Sequence, residues 1–215
     1  MERIICLLIG YLCGLLQTSY IIGKYKGIDI RKHGSGNAGT TNALRVLGKK
    51  AGLFVFFGDA MKSILAVAIV RILFRNQPEM IYLYCLYAGA GAILGHNFPF
   101  YLNFKGGKGI AATAGMIIAF HPIFLPVGLI LFFGALFLTH YVSLGSLLVY
   151  AGFMIEIVIV GQMGLFGASQ MILTEMYIVT ALLTIMAYAK HWPNIKRLLR
   201  GEERKTYLIK SNKED

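Results

Sequence analysis

The chain has 215 residues, of which 57% are hydrophobic and only 14% are charged, and its mean hydropathy is +0.65. Soluble domains carry about 25% charged residues, so this composition excludes an ordinary soluble domain and predicts an integral membrane protein. At about 20 residues per crossing, the length fits one bundle of spanning helices and excludes a multidomain enzyme. The three cysteines lie in apolar runs without metal-ligand or redox spacing, and we interpret them as small core residues: Cys6, Cys13 and Cys85.

Positive charge is concentrated in two segments of the chain. The formal net charge is +11, and most lysines and arginines fall between residues 24 and 50 or after residue 189. A basic surface for DNA needs a soluble scaffold, so we expect no nucleic-acid partner. The positive-inside rule instead predicts that both segments face the cytoplasm.

The apolar runs predict membrane spans at about 4–23, 51–73, 80–98, 144–161 and 170–189. Residues 109–138 contain no Asp, Glu, Lys or Arg and fit either one long span or two short ones. If both basic segments are cytoplasmic, the number of crossings between them must be even, which requires two. The pair His121-Pro122 marks the expected break, because proline lacks an amide donor and restricts the residue before it.

We therefore predict an all-α, polytopic bundle of seven transmembrane helices, with the N-terminus outside and the C-terminus in the cytoplasm. The bundle is expected to form one domain over residues 1–200, followed by a mobile cytoplasmic tail over 201–215. The polar loops then collect on the cytoplasmic side. This one-sided arrangement favours an enzyme that takes a soluble substrate from the cytoplasm over a transporter, whose site should lie near the midplane.

The first polar motif is the run GSGNAGTTN at residues 34–42, followed by Arg45. Its glycines allow tight turns that aim backbone N–H groups at one point, while the Ser, Asn and Thr side chains add donors. The guanidinium of Arg45 matches a phosphate group. The motif predicts an anion-binding loop, although a flexible polar loop has the same composition.

The second motif consists of GHNFP at residues 95–99 and FKGGKG at 104–109, directly before an apolar helix. Glycines, a lysine and a helix N-terminus together favour phosphate binding. The run is not a Walker A loop, because Lys108 is followed by Gly109 and not by Ser or Thr. The alternative is that Lys105 and Lys108 only anchor the loop at the membrane surface.

Two further motifs lie near the cytoplasmic ends of the last predicted spans. Ser143 and Ser146 stand at a helix start, where Ser143 is expected to cap the helix. The run HWPNI at residues 191–195 places Trp192 where a membrane interface favours it, and the basic residues after it suit anionic headgroups. His191 is the best-placed general acid or base on that face.

Charged residues within the predicted spans have a structural explanation. Asp59 and Lys62 are three positions apart on one helix and can neutralise each other. Glu156 and Glu175 fall toward the outer halves of their helices, remote from the polar motifs, and we assign them no catalytic role.

Together the motifs resemble those of the bacterial acyl-phosphate glycerol-3-phosphate acyltransferase family, the PlsY family. The family patterns are a GIDIR(K)HGSGN loop, a GH-x-x-P…FKGGKG loop, a YVSL-x-S element and a terminal H-x-x-NI-x-RLL. They correspond here to residues 27–42, 95–109, 141–146 and 191–199. The resemblance runs in order through nearly the whole chain and implies a seven-helix fold with an inward-facing site.

The resemblance implies transfer of a fatty acyl group from acyl phosphate to the sn-1 hydroxyl of glycerol 3-phosphate. The products are lysophosphatidic acid and phosphate, and the reaction is the first step of phospholipid biosynthesis. The implied location is the bacterial plasma membrane, with the site facing the cytoplasm, and no cofactor or metal is implied. The partners are then glycerol 3-phosphate, acyl phosphate, membrane lipid and, by contact, the enzyme that supplies acyl phosphate.

The resemblance also implies roles for individual residues. The catalytic set is Lys108, Ser146, His191 and Asn194, and the substrate-binding set is Ser35, Gly36, Asn37, Thr41, Arg45, Lys105, Gly107 and Ser143. Of the two lysines, Lys108 is the expected contact because it is nearer the helix start. We expect direct acyl transfer, since no cysteine lies on the cytoplasmic face and neither serine has an assured base.

Six positions depart from the family pattern. Thr40 replaces Ala, Ala112 replaces Thr, His140 and Trp192 replace Arg, and Gly58 and Ser63 replace the more usual neighbours of the Asp59/Lys62 pair. Loss of two arginines from the substrate face would weaken anion binding. Two alternatives to the enzyme are therefore a non-catalytic paralogue that binds phosphorylated lipid precursors or partner enzymes, and an organic-phosphate transporter.

Overall fold

The computed structural model describes residues 1–207, which form α-helices and short 3-10 turns and contain no β-strand. The helices are α1 (Glu2–Gly14), α2 (Thr18–Tyr25), α3 (Thr40–Leu47), α4 (Lys49–Leu73), α5 (Ile81–Asn97), α6 (Ile110–Phe120), α7 (Leu125–Thr139), α8 (Val142–Gln162), α9 (Gln170–Lys190) and α10 (Trp192–Leu199). The predicted all-α class is confirmed for this part of the chain.

The first apolar run is broken into α1 and α2 at residues 15–17. The carbonyls released by the break are bonded by side chains from elsewhere: Tyr101 Oη donates to Leu15 O at 2.6 Å, and Lys62 Nζ donates to Leu16 O at 2.8 Å. Gln17 is completely buried and donates to His96 O at 3.1 Å. The break therefore satisfies its backbone groups inside the protein, as a low-dielectric surrounding requires.

Helices α1 and α5 pack closely together, and small residues make the approach possible. A Cβ added at Gly10 would lie 2.0 Å from Ala88 O, and one at Gly91 would lie 2.1 Å from Leu7 O. Small residues on both faces let two helix backbones come together, which is a common packing mode within membranes. This contact fixes α5, whose C-terminal end carries His96, against the first helix.

Residues 109–139 form two helices rather than one. α6 ends at Phe120, Pro122–Phe124 form a 3-10 turn, and α7 begins at Leu125. His121 Nδ1 accepts from Ile123 N at 3.2 Å, so the turn is closed by its own side chain. The predicted break at His121-Pro122 is confirmed.

Five segments are long and apolar enough to cross a membrane: Glu2–Tyr25, Lys49–Leu73, Pro122–Thr139, Val142–Gln162 and Gln170–Lys190. The two remaining apolar helices are shorter, with 17 residues in α5 and 11 in α6. The five segments correspond to five of the predicted spans. Helix α7 has fifteen residues and is long enough only together with the turn before it.

The connections sort onto two ends of the bundle. At one end the turns around Phe74, His121 and Phe166 meet, with Tyr82 5.0 Å from the Phe166 ring and 6.0 Å from the His121 ring between centroids. The other end, here called the loop end, gathers residues 26–39, 98–109, 140–141 and 191–207. All four sequence motifs lie at the loop end.

Candidate active site

A cavity of about 360 Å³ opens at the loop end. Four segments line it: the glycine-rich loop with α3, the residues around the start of α6, the start of α8, and the chain after α9. Three of these segments are far apart in sequence, and the fold brings them together because α5, α6, α8 and α9 all place one end here.

Four helix N-termini converge on this cavity. The lining includes the first residues of α3, α6 and α8 and, from the first turn of α10, Pro193 and Asn194. No side chain caps any of the four helices. Unbonded N–H groups give a helix N-terminus a partial positive charge. The cavity is thus built to receive anions, and its charged lining has four cations, Arg45, Lys108, Arg197 and Arg204, against two acids, Asp59 and Glu203.

The glycine-rich loop is held by Asn42, which is buried. Its amide Nδ2 donates to Ile30 O at 3.2 Å and to His33 O at 3.0 Å, while its Oδ1 accepts from Ser35 N at 2.8 Å. One side chain thereby bonds three points of the loop. The loop is ordered by this arrangement, which favours the anion-binding interpretation over a flexible polar loop.

The loop before α6 is bonded to the end of α5. Gly107 N donates to His96 O at 3.1 Å and Gly106 N donates to Asn97 O at 3.2 Å. A Cβ at Gly107 would lie 2.0 Å from His96 Nε2, so only glycine lets the loop rest on the imidazole. The next residue, Lys108, is thereby directed into the cavity.

Lys108 Nζ donates to Asn194 Oδ1. Burial lowers the pKa of Lys108 to about 8, because desolvation disfavours the charged ammonium. The charge of this group is therefore sensitive to pH near neutrality. A bound phosphate would favour the protonated form.

His191 is held as a neutral ring with a defined tautomer. Its Nδ1 lies 2.8 Å from Ala187 O, and because a carbonyl can only accept, Nδ1 carries the proton. Burial and the nearby Lys108 lower the pKa of His191 to about 4. Nε2 is consequently an unprotonated hydrogen-bond acceptor at neutral pH.

Both serine hydroxyls at the start of α8 donate to acceptors of the protein. Ser146 Oγ donates to Val142 O at 2.8 Å, and Ser143 Oγ donates to Glu203 Oε1 at 3.0 Å. The prediction that Ser143 caps the helix is wrong: α8 begins at Val142 with Tyr141 as its N-cap. Ser143 already lies within the helix, and its hydroxyl bonds the carboxylate instead.

Ten of the twelve predicted site residues line the cavity: Ser35, Gly36, Asn37, Thr41, Arg45, Lys108, Ser143, Ser146, His191 and Asn194. The other two do not. Lys105 is exposed outside the cavity, and Gly107 lies behind the wall against His96. Gly107 therefore supports Lys108 from behind.

Sequence reasoning missed Glu203, which it placed in a mobile tail. The carboxylate accepts from Asn194 Nδ2 at 2.6 Å, from Arg197 Nε at 2.7 Å and from Ser143 Oγ at 3.0 Å. It orients the Asn194 amide so that Oδ1 faces Lys108. The sequence shows only a charged run after the last helix, which gives no signal that this acid returns to the site.

A buried charged cluster lies beneath the cavity. Lys62 Nζ lies 2.9 Å from Asp59 Oδ1 and 2.7 Å from His96 Nδ1. The predicted structural pairing of Asp59 with Lys62 is confirmed, and His96 joins it. Among residues 1–207, no group of three or more His, Cys, Asp or Glu side chains is arranged to hold a metal ion.

One position that departs from the family pattern, Thr40, lies on the cavity lining, and the others lie outside it. The His140 ring packs on Tyr207 at 4.6 Å between centroids, and Trp192 is 55% exposed beside Lys196. Thr113, which follows Ala112, lies 2.5 Å from Tyr150 through their hydroxyls. His140 and Trp192 therefore do not touch the cavity.

The family model and the similar proteins all point to one family. A family model described as glycerol-3-phosphate acyltransferase matches residues 4–201. The chain is 39% identical over 206 residues to the glycerol-3-phosphate acyltransferase of Thermoanaerobacter sp. (strain X514), covering 95% of this chain and 96% of that one. It is 38% identical over 206 residues to that of Bacillus subtilis (strain 168), covering 93% and 95%.

A solved structure shares the fold. It is the glycerol 3-phosphate form of PlsY (YgiH), an integral membrane glycerol 3-phosphate acyltransferase, with a TM-score of 0.83, 28% identity and 96% of each chain covered. The lysophosphatidic acid form of the same protein gives a TM-score of 0.80 at 28% identity.

Proposed function

This chain belongs to the glycerol-3-phosphate acyltransferase family, and from that premise we propose that it moves a fatty acyl group from an acyl phosphate to the sn-1 hydroxyl of glycerol 3-phosphate. The family supports a multi-pass membrane acyltransferase of phospholipid biosynthesis. The proposal adds the donor, the position of acylation, the roles of the residues and the side of the membrane on which the site opens.

The observation that carries the proposal is the convergence of four helix N-termini and four cationic side chains on one cavity. An acyl phosphate and glycerol 3-phosphate each bring a phosphate group, so the reaction requires two anions in contact. Helix N-termini, lysine and arginine are the groups that bind phosphate in proteins. A thioester donor would place sulfur, and not a phosphate group, on the reacting carbonyl carbon.

The reaction is a direct displacement. The sn-1 oxygen attacks the acyl carbonyl carbon, the bond from that carbon to the phosphate oxygen breaks, and phosphate leaves with the hydroxyl proton. Lys108 and the α6 N-terminus stabilise the charge that develops on the carbonyl oxygen and the departing phosphate. His191 Nε2, the free acceptor of the site, holds the attacking hydroxyl in line.

The remaining predicted residues bind and orient the substrates. Ser35, Asn37, Thr41 and Arg45 donate to phosphate oxygens from the Asn42-supported loop, with the Gly36 backbone among them. Asn194 holds Lys108 in place and is itself oriented by Glu203. Direct transfer needs no serine nucleophile. In the structure the Ser146 hydroxyl donates to Val142 O and the Ser143 hydroxyl donates to Glu203.

The bundle crosses the membrane seven times in this proposal, with α1 and α2 counted as one span and α5 and α6 as two short ones. The N-terminus lies outside and the loop end, with its basic segments, in the bacterial cytoplasm. Acyl phosphate reaches the site from the lipid side, by contact with the enzyme that makes it. A cysteine introduced at Lys50 should react with an impermeant maleimide only in inverted vesicles.

A donor comparison tests the activity. The purified protein in lipid nanodiscs receives glycerol 3-phosphate with either palmitoyl phosphate or palmitoyl-CoA, and lysophosphatidic acid is measured by mass spectrometry. We expect product from palmitoyl phosphate alone. Equal or faster product formation from palmitoyl-CoA would contradict the proposed donor.

Two substrate analogues test the position of acylation. The analogue that lacks the 2-hydroxyl, 3-hydroxypropyl phosphate, should still be acylated, whereas 2-hydroxypropyl phosphate, which lacks the 1-hydroxyl, should not. The reverse pattern would contradict transfer to the sn-1 position.

A further inference from the structure

The residues after Gly201 form a strap across the cavity mouth, here defined as residues 202–207. Its near side is fixed by Glu203, whose carboxylate accepts from Ser143, Asn194 and Arg197. The strap therefore starts from an anchored point on α8 and α10. It is a part of the site that the sequence alone assigns to the tail.

The far side of the strap is fixed by Thr206, which is buried. Thr206 N donates to His140 O at 2.8 Å, and Arg45 donates through Nη2 to Thr206 Oγ1 at 2.8 Å. Arg45 Nη2 also lies 3.4 Å from Arg204 O. With anchors at 203 and 206, the backbone of Arg204 is held next to Arg45 at the cavity rim.

Arg204 differs from the other three cations of the lining in having no partner. Lys108 bonds Asn194, Arg197 bonds Glu203, and Arg45 bonds the strap. The Arg204 guanidinium forms no hydrogen bond or ion pair with any residue from 1 to 207, although it lines the cavity. A guanidinium presented in this way has all of its donors available for a phosphate.

The exposure of Arg204 indicates which substrate it meets. The residue is exposed and lies in the strap, outside the helices and at the loop end. In the proposed topology this end meets the cytoplasm, so Arg204 is reached from water. Glycerol 3-phosphate arrives from water, whereas the acyl donor carries a fatty chain that partitions into the membrane.

We propose that Arg204 is a substrate-binding residue that takes the phosphate of glycerol 3-phosphate at the rim of the cavity, beside Arg45. The inference rests on the proposed function and deepens it by assigning one of the two phosphates to the strap. It assigns a binding role to a residue that none of the four sequence motifs contains.

Lys205 provides a matched control, because it has the same charge, is also exposed and does not line the cavity. The experiment compares Arg204→Gln with Lys205→Gln in nanodiscs, with glycerol 3-phosphate and palmitoyl phosphate varied in turn. We expect the KM for glycerol 3-phosphate to rise about tenfold in Arg204→Gln, with the KM for palmitoyl phosphate changed less than about twofold. Lys205→Gln should behave as the unmodified protein does.

Equal effects of the two variants, or a rise confined to the KM for palmitoyl phosphate, would overturn the inference and leave the proposed function standing. Calorimetric titration with glycerol 3-phosphate provides a readout that does not depend on turnover. If the unmodified protein is inactive, the proposed function fails, but the binding comparison still tests the role of Arg204. Weaker binding of glycerol 3-phosphate to Arg204→Gln than to Lys205→Gln supports that role. Equal binding to the two variants, or no binding to the unmodified protein, overturns it.

Discussion

The two ends of the bundle treat their charged side chains differently. At the end opposite the cavity, Arg3 forms two bonds to Glu175, at 2.5 and 2.7 Å, and Tyr87 donates to the same carboxylate at 2.9 Å. Arg71 donates to the carbonyls of Ala119 and Phe120 at the end of α6. At the loop end, by contrast, cations line an open cavity.

The comparison shows how charge is divided between structure and function in this protein. Arg3 and Arg71 satisfy their donors with protein atoms, and they join α1 to α9 and α4 to α6. Lys108 and Arg204 instead present charge to a space that a ligand can enter. We expect a charge that is fully bonded far from the cavity to stabilise the bundle, and one that faces the cavity to bind substrate.

The largest expected effect comes from removing the cavity lysine. Lys108→Ala should lower kcat/KM about 10²- to 10³-fold, because it removes a preorganised charge at the reacting carbonyl. Lys105→Ala removes the same charge from outside the cavity and should lower kcat/KM by less than about threefold. Steady-state kinetics with palmitoyl phosphate checks both, and equal losses would contradict the assignment of Lys108.

Moving the loop that carries Lys108 should have the next largest effect. Gly107→Ala places a methyl group on the His96 ring and should shift the loop, with a loss of about 10²-fold in kcat. The control is Gly128→Ala in α7, where a Cβ meets no atom within 4 Å. Activity of Gly107→Ala above half of the unmodified rate would contradict the tight packing of this loop.

The pH dependence should follow the Lys108 ammonium. Lysine is charged below its pKa, and the pKa of Lys108 is about 8, so the active form is lost as the pH rises through this value. We expect kcat/KM to fall about tenfold between pH 7 and pH 9, after correction for uncatalysed hydrolysis. In Lys108→Arg the residual activity should not decline over this pH range, because arginine stays charged. If the variant shows the same decline as the unmodified protein, another group causes it.

The smallest effect on catalysis is expected at the opposite end. Arg3→Ala removes the ion pair with Glu175 and should change kcat/KM by less than about twofold, while the apparent Tm in detergent decreases. The apparent Tm is measured by heating the protein and recording the remaining folded peak by size-exclusion chromatography with fluorescence detection. A catalytic loss without a decrease in Tm would contradict the division of roles between the two ends.

Much of the fold followed from local sequence patterns. The apolar runs predicted the long helices, and proline chemistry predicted the break at His121-Pro122. The break at residues 15–17 was not predicted, because the short polar run Gln17-Thr18-Ser19 does not show that the partners of Gln17 belong to α5. That break depends on tertiary hydrogen bonds between residues about 80 positions apart.

The residues of the candidate site were predictable where they belong to one of the four sequence motifs. Ten predicted residues line one cavity because glycine-rich loops and helix starts have recognisable patterns. Glu203 and Arg204 lie in a short charged run that resembles a solvated tail. Their positions depend on long-range bonds to Ser143, His140 and Arg45, which no periodicity or spacing encodes.

The most direct test of direct acyl transfer is phosphate release from palmitoyl phosphate by the purified protein, measured with and without glycerol 3-phosphate. We predict release only when glycerol 3-phosphate is present, with one lysophosphatidic acid formed per phosphate, and loss of release in Lys108→Ala and His191→Ala. A burst of phosphate without glycerol 3-phosphate, equal in amount to the enzyme, would reveal an acyl-enzyme and contradict direct transfer. No release from a folded preparation with both substrates present would contradict the proposed function itself.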